Sequence, residues 1–147
     1  MKLADKGRYA PPPRLPLHAR AVSRAVAQWP GVHARSHWLL GDEQVVDGAD
    51  FYVGERELGH IHLDGEAHIA VPAAVRKALI TAGLALPFRW SAAFVAFEIA
   101  TKGDVARAAW LFQLAYDRLQ GVRTATLVGR CASLVQASRV LAASLTS

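Results

Sequence analysis

Cysteine is all but missing from this chain. Cys131 is the only one in 147 residues. That rules out an internal disulfide and any zinc site built on several cysteines, and it suits a reducing, cytoplasmic setting. Long apolar runs are missing too: none approaches the roughly 20 residues that a membrane-spanning helix needs, so no membrane is expected as a partner. The opening Met1-Lys2-Leu3-Ala4-Asp5-Lys6 leads into no apolar stretch, and no secretory leader is expected. A glycine-rich phosphate loop, a Gly-x-Ser-x-Gly elbow and a His-Glu-x-x-His pair are absent. Their absence removes the commonest routes to phosphate binding, serine hydrolysis and zinc proteolysis.

Acidic residues are scarce outside one segment. Residues 1–37 carry seven Lys/Arg and one acid, residues 42–66 eight acids and a single Arg56, and residues 67–147 nine Lys/Arg and three acids. The net charge is +5 and the isoelectric point is near 9.9. A basic chain invites a nucleic-acid reading. The acidic middle and the singly scattered arginines argue instead for a solvated basic surface, with acidic strands pairing with basic helices. Nucleic acid is not an expected partner.

With 52% apolar and 20% charged residues, the chain can bury a core. Residues 1–16 include Pro11-Pro12-Pro13 and Pro16 and read as a tail or a surface arm, followed by one domain over 17–147. A helix is expected over 17–29, its stripe Leu17, Ala21, Val22, Ala25, Val26 and Trp29, ended by Pro30-Gly31. Residues 32–40 suit a strand, 41–48 an acidic turn or loop, and 49–53 a strand. A helix runs from Pro72 to Gly83; strands are expected over 84–90 and 94–99. Asp104 can cap a helix that buries Phe112, Tyr116 and Leu119 and stops at Gly121. A last helix starts near Thr124 or Thr126, and its apolar positions exceed one narrow stripe. Such a helix is either well covered by its own domain or shared with a second subunit, as a homo-oligomer formed through residues 124–145. The order predicts an α+β fold: a mostly antiparallel sheet of about five strands packed with helices, plus the extra C-terminal helix.

Between these elements lies Arg56-Glu57-Leu58-Gly59-His60-Ile61-His62-Leu63-Asp64-Gly65. Side chains alternate along a strand, so His60 and His62 share a face. Asp64-Gly65 signals a two-residue hairpin turn. In that register Leu63 faces Glu66 and His60 faces Ile69. His68 then points away from the pair, and Glu57 away from both. The pair has three readings: metal ligands, with a third ligand from His33, His37, Asp50 or Glu98; proton shuttles or hydrogen-bonding groups lining a cavity; or core-edge histidines satisfied by carboxylate or backbone partners. Glu57 suits the orienting of a histidine or of Arg89. Arg89 and Trp90 suit a cavity mouth, although Trp90 also suits a core position. Cys131 and Tyr116 read as core.

The run Phe51-Tyr52-Val53-Gly54-Glu55-Arg56-Glu57-Leu58-Gly59-His60-Ile61-His62 resembles the signature of the luciferase domain family. That family includes the fungal luciferase acting on 3-hydroxyhispidin and many small bacterial proteins of unknown function. The resemblance extends over roughly residues 29 to 120, through Arg89-Trp90 and Ala115-Tyr116. It implies a small-molecule ligand and, for an enzyme, an oxidoreductase using molecular oxygen without metal or flavin. His60, His62 and Glu57 would then be the catalytic groups, and Phe88, Arg89 and Trp90 the substrate-binding ones. No cofactor is expected on this reading, with a metal held by His60 and His62 as the alternative. Phe88 stands where the family usually has histidine, and Phe94 where it often has tryptophan. The contrasting expectation is a non-catalytic interaction module, dimeric through the last helix.

Overall fold

The computed structural model describes residues 10–39 and 42–146. Most of the expected N-terminal tail, and Leu40 and Gly41 of the expected strand and loop, lie outside the described residues. The elements are α1 (Leu17–Ala27), β1 (Val32–Leu39), β2 (Asp42–Val53), β3 (Arg56–His62), β4 (Glu66–Ala70), α2 (Ala73–Thr81), β5 (Leu86–Pro87), β6 (Phe94–Glu98), α3 (Lys102–Leu119) and α4 (Thr124–Thr146). The architecture is α+β. All strands are antiparallel in one sheet of order β1-β2-β3-β4-β6-β5, so there are six strands rather than about five.

Two strand assignments differ from the pattern in the sequence. The acidic stretch that suggested a loop is the first half of β2, paired to β1 across irregularities at Trp38. Residues 84–90 hold only the two-residue β5, because Pro87 lacks a ladder donor. Helix starts follow local chemistry. Thr101 is the N-cap of α3, and Asp104 is its capping-box partner rather than the cap itself. The Asp104 carboxylate accepts from the N–H groups of Ala100 and Thr101, and these bonds hold it below the usual carboxylate range. In α1 the buried stripe is Ala19, Val22 and Val26, while Leu17 and Ala21 are exposed.

The helices cover one face of the sheet. Ala49, Phe51, Leu58, Ile61, Ala67, Ile69 and Val95 point toward them and meet Val22, Val26, Leu79, Leu111, Phe112 and Leu127 in a single core. Phe51 and Phe112 meet edge-to-face at 5.6 Å. Cys131 is buried there, and burial pushes its thiol up, as for an inert apolar residue. Tyr116 is half-buried against Trp29 and donates its hydroxyl to the Pro30 carbonyl at 2.7 Å, so it is a tether more than a core filler.

Two local features decide what the other face carries. The hairpin turn holds three residues, not two: Gly59 pairs with Ile69, His60 with His68 and Ile61 with Ala67. Gly65 N–H bonds the His62 carbonyl at 3.0 Å, Gly65 takes φ +94°, and the Asp64 carboxylate caps Glu66 N–H at 2.9 Å. That is a turn closed by a left-handed glycine. A one-residue change of register moves every side chain to the opposite face, so His68 sits beside His60 and His62. The second feature is a bulge. Phe51 faces Gly59 but Tyr52 faces Glu57, which leaves Leu58 as an extra residue in β3. The bulge returns Glu57 to the histidine face and sends Leu58 into the core.

Candidate functional site

The histidines lie on the face of the sheet away from the helices. Four of the chain's six histidines gather there: His37 from β1, His60 and His62 from β3 and His68 from β4. His37 and His60 stack in parallel with ring centres 4.1 Å apart, and His62 and His68 stand edge-on to His60 at 5.0 Å each.

Each imidazole is anchored by its own carboxylate. His37 Nδ1 lies 2.7 Å from Asp50, His60 Nδ1 2.8 Å from Glu57, His62 Nδ1 2.7 Å from Asp47, and His68 Nε2 2.8 Å from Glu66. An ionised carboxylate only accepts, so the facing nitrogen carries the hydrogen and donates it. This fixes four tautomers. The remaining nitrogens turn inward: His68 Nδ1 is 3.0 Å from His60 Nε2 and 3.1 Å from His62 Nε2. A ring nitrogen from each of His37, His60 and His62 lies within 4.8 Å of the others.

Asp47, Asp50, Glu57 and Glu66 of the acidic segment thus serve the histidines of their own sheet, where the charge pattern had suggested pairing with the basic helices. The described ion pair between helices is Asp117 with Arg130, joining α3 to α4. Asp50 is fully buried opposite the buried Arg35 and also stands 3.9 Å from His60 Nδ1. Burial pushes the His60 pKa down to about 4, against the opposing pull of Glu57. Burial lowers His68 as well, and it raises the phenol of Tyr52. His60 is therefore neutral at ordinary pH, with a lone pair on its inner nitrogen.

The cluster floors a groove of about 620 Å³. Its walls are apolar as well as charged: Phe88 stacks on His68 at 4.0 Å, Phe94 lies 5.8 Å from His60, and Leu39 and Trp90 stand at the rim. Phe88 thus touches the cluster as a lid on one imidazole. Trp90 is 76% exposed and is not a core residue. Arg89 does not line the groove; its guanidinium lies over the Trp90 ring at 4.6 Å. His33 is exposed, and Glu98 sits at the exposed end of β6 opposite Glu66, so neither candidate ligand reaches the cluster. The residues that the sequence pattern missed are His68, Asp47 and Glu66. The available signal was Glu66 two residues before His68, readable only once the register is known; Asp47 lies 15 residues from His62 along the chain.

The family model described as Luciferase domain matches residues 55–115, from the start of β3 into α3. His60, His62, His68 and Phe88 lie inside the match; His37, Asp47 and Asp50 lie outside it. No curated protein and no solved structure matches the chain.

Proposed function

We propose, for a chain assigned to the luciferase domain family by residues 55–115, that the groove binds a flat, oxygen-bearing small molecule and acts on it as an oxygenase-like enzyme. The observation that carries this reading is the set of carboxylate-anchored imidazoles beneath aromatic walls. Phe88 and Trp90 line the groove and offer aromatic faces to a planar ring. An acidic O–H of that ring would meet an inner nitrogen of His60 or His62. Transfer of its proton to the imidazole leaves an electron-rich oxyanion, and molecular oxygen is the oxidant. Glu57 and Asp47 stabilise the imidazolium so formed, which makes them positioning residues. Arg89 acts by holding Trp90.

Thermal-shift screening of hydroxylated pyrones and phenols, with oxygen uptake measured for each binder, tests this. Some members should raise the melting temperature, and His62→Phe with Trp90→Ala should abolish the shift while leaving the protein folded. If no member of the class shifts the parent, or the shift survives in the double variant, the groove is not the binding site.

A second reading is favoured by one feature of α4. Leu127, Cys131, Leu134, Ser138, Leu141 and Leu145 repeat at alternating spacings of three and four, the seam of a paired helix. Leu127 and Cys131 are buried in the core, whereas Leu141 and Leu145 are 61% and 77% exposed. The seam continues past the domain, and a second copy of α4 offers a matching surface. On this reading the chain is a dimeric interaction module. Sedimentation at micromolar concentration should show a dimer that Leu141→Glu with Leu145→Glu converts to monomer; a parent that stays monomeric to about 100 μM ends this reading.

A further inference from the structure

We infer that imidazoles of the cluster formed by His37, His60, His62 and His68 bind one divalent transition-metal ion on the floor of the groove. This goes beyond the small-molecule reading and does not depend on it.

The argument starts from proton positions. Four carboxylates take the outward N–H of four imidazoles, so the inward nitrogens of His60, His62 and His68 are all left as lone pairs. Yet His68 Nδ1 stands 3.0 and 3.1 Å from two of them. Lone pairs that face His68 Nδ1 at these two separations repel it unless a cation joins them. Two nitrogens bound to one ion at the usual bond length sit roughly 2.9–3.4 Å apart, for octahedral to tetrahedral angles. The observed separations fall in that range. His37, with a ring nitrogen within 4.8 Å of those of His60 and His62, is the alternative third ligand to His68.

The surroundings are those of a metal site. Ligating histidines generally donate their other N–H to a carboxylate, which fixes ring orientation and raises basicity. Here all four do so. The ligands come from three strands of a rigid sheet. An all-imidazole set suits zinc, iron, copper, cobalt or nickel rather than calcium or magnesium, which prefer oxygen. The competing occupant is a single proton on His68 Nδ1, shared between His60 and His62. With an ion bound, the acidic oxygen of a groove ligand meets a cation instead of lone pairs; both favour its deprotonated form.

The test uses the full chain without a histidine tag, stripped with chelator and titrated with Zn²⁺ and, separately, Co²⁺. One ion should bind per chain, with a cobalt visible spectrum of nitrogen coordination. In the parent, two-dimensional ¹H–¹⁵N spectra of the imidazole rings should show the inner nitrogens moving on zinc addition. His62→Gln and His68→Gln should weaken binding at least about tenfold, and Glu57→Gln about 10–100-fold. His33→Gln, outside the cluster, should bind like the parent. Absence of stoichiometric uptake by the folded parent, inner-nitrogen signals that respond to pH but not to zinc, or equal uptake by the cluster variants would overturn the inference. The parent spectra decide the matter even where a variant does not fold.

Discussion

Replacing Gly48 by alanine should lower the melting temperature by roughly 10 °C, or prevent folding altogether. Gly48 sits between Asp47 and Ala49, directly opposite His62. A Cβ built on it would stand 2.0 Å from the Ile61 carbonyl oxygen and 2.9 Å from His62 Cα. Both are backbone atoms of the neighbouring strand, so no side-chain rotation relieves the clash. Its φ of +148° adds strain for any L-residue. Overpacking of about 1–3 kcal/mol and backbone strain of similar size act together. For a chain of this length each kcal/mol lowers the melting temperature by about 2–4 °C. Gly54→Ala is the control. It shares a positive φ, at +58°, but meets nothing within 4 Å, so it should cost only about 1–2 kcal/mol. Equal melting temperatures for the two variants would show that β2 and β3 do not approach this closely. Residual folded Gly48→Ala should also have lost the Asp47–His62 contact, since both partners flank the displaced segment.

In chelator-stripped protein, stability should fall by about 3 kcal/mol as pH drops from 6.5 to 4. The folded-state pKa of His60 is lowered from 6.5 to about 4. The unfolded chain therefore binds a proton in this window that the folded chain refuses, and stability rises with pH across it. The contribution is full above pH 6.5, declines as the unfolded histidine charges, and is gone once pH falls to the folded value. His68 is shifted the same way and steepens the decline. The groups facing His60 are Glu57 and Asp50, which oppose the shift, and His37, His62 and His68. Urea unfolding at several pH values in parent and His60→Gln is the measurement. The glutamine variant should lose most of the slope between pH 6.5 and 4. A parent slope that the variant reproduces in full would assign the acid sensitivity to other groups.

Much of the fold is legible in the residues, because apolar periodicity is a local signal. Val75 and Leu79, or Phe112 and Ala115, mark the buried sides of α2 and α3. His60 and His62 share a face for the same reason, since both lie on one uninterrupted strand. The site failed at two places where strand alternation is broken. Asp64-Gly65 is equally at home in a two-residue turn and at the end of a three-residue one; the second requires Asp64 to cap Glu66 and Gly65 to go left-handed. Leu58 leaves no mark as a bulge, because Glu57 and Leu58 look like any polar–apolar alternation. Each break reverses parity, and together they moved His68 and Glu57 off the cluster. From β1 and β2 the sequence offers His37 and Asp50 as candidate ligands, but not how they pair. Pairing partners 13 and 15 residues apart, as in His37–Asp50 and His62–Asp47, depend on two further registers, one of them irregular.

The borders of the sheet carry a consequence for assembly. On the outer side of β1, Ser36 N–H bonds the Ala10 carbonyl at 2.9 Å and its hydroxyl bonds that of Pro11 at 2.7 Å, so a proline-rich strap occupies the middle of that edge. At the opposite border β5 is two residues long and one is proline. An open, flat edge is a template for strand addition, and proteins that avoid aggregation shorten it, cover it or place proline on it. Here one border is strapped and the other is cut short. The polar face can therefore stay uncovered by helices without the sheet growing into fibres. Contacts between copies are steered away from strand addition and toward the helical side.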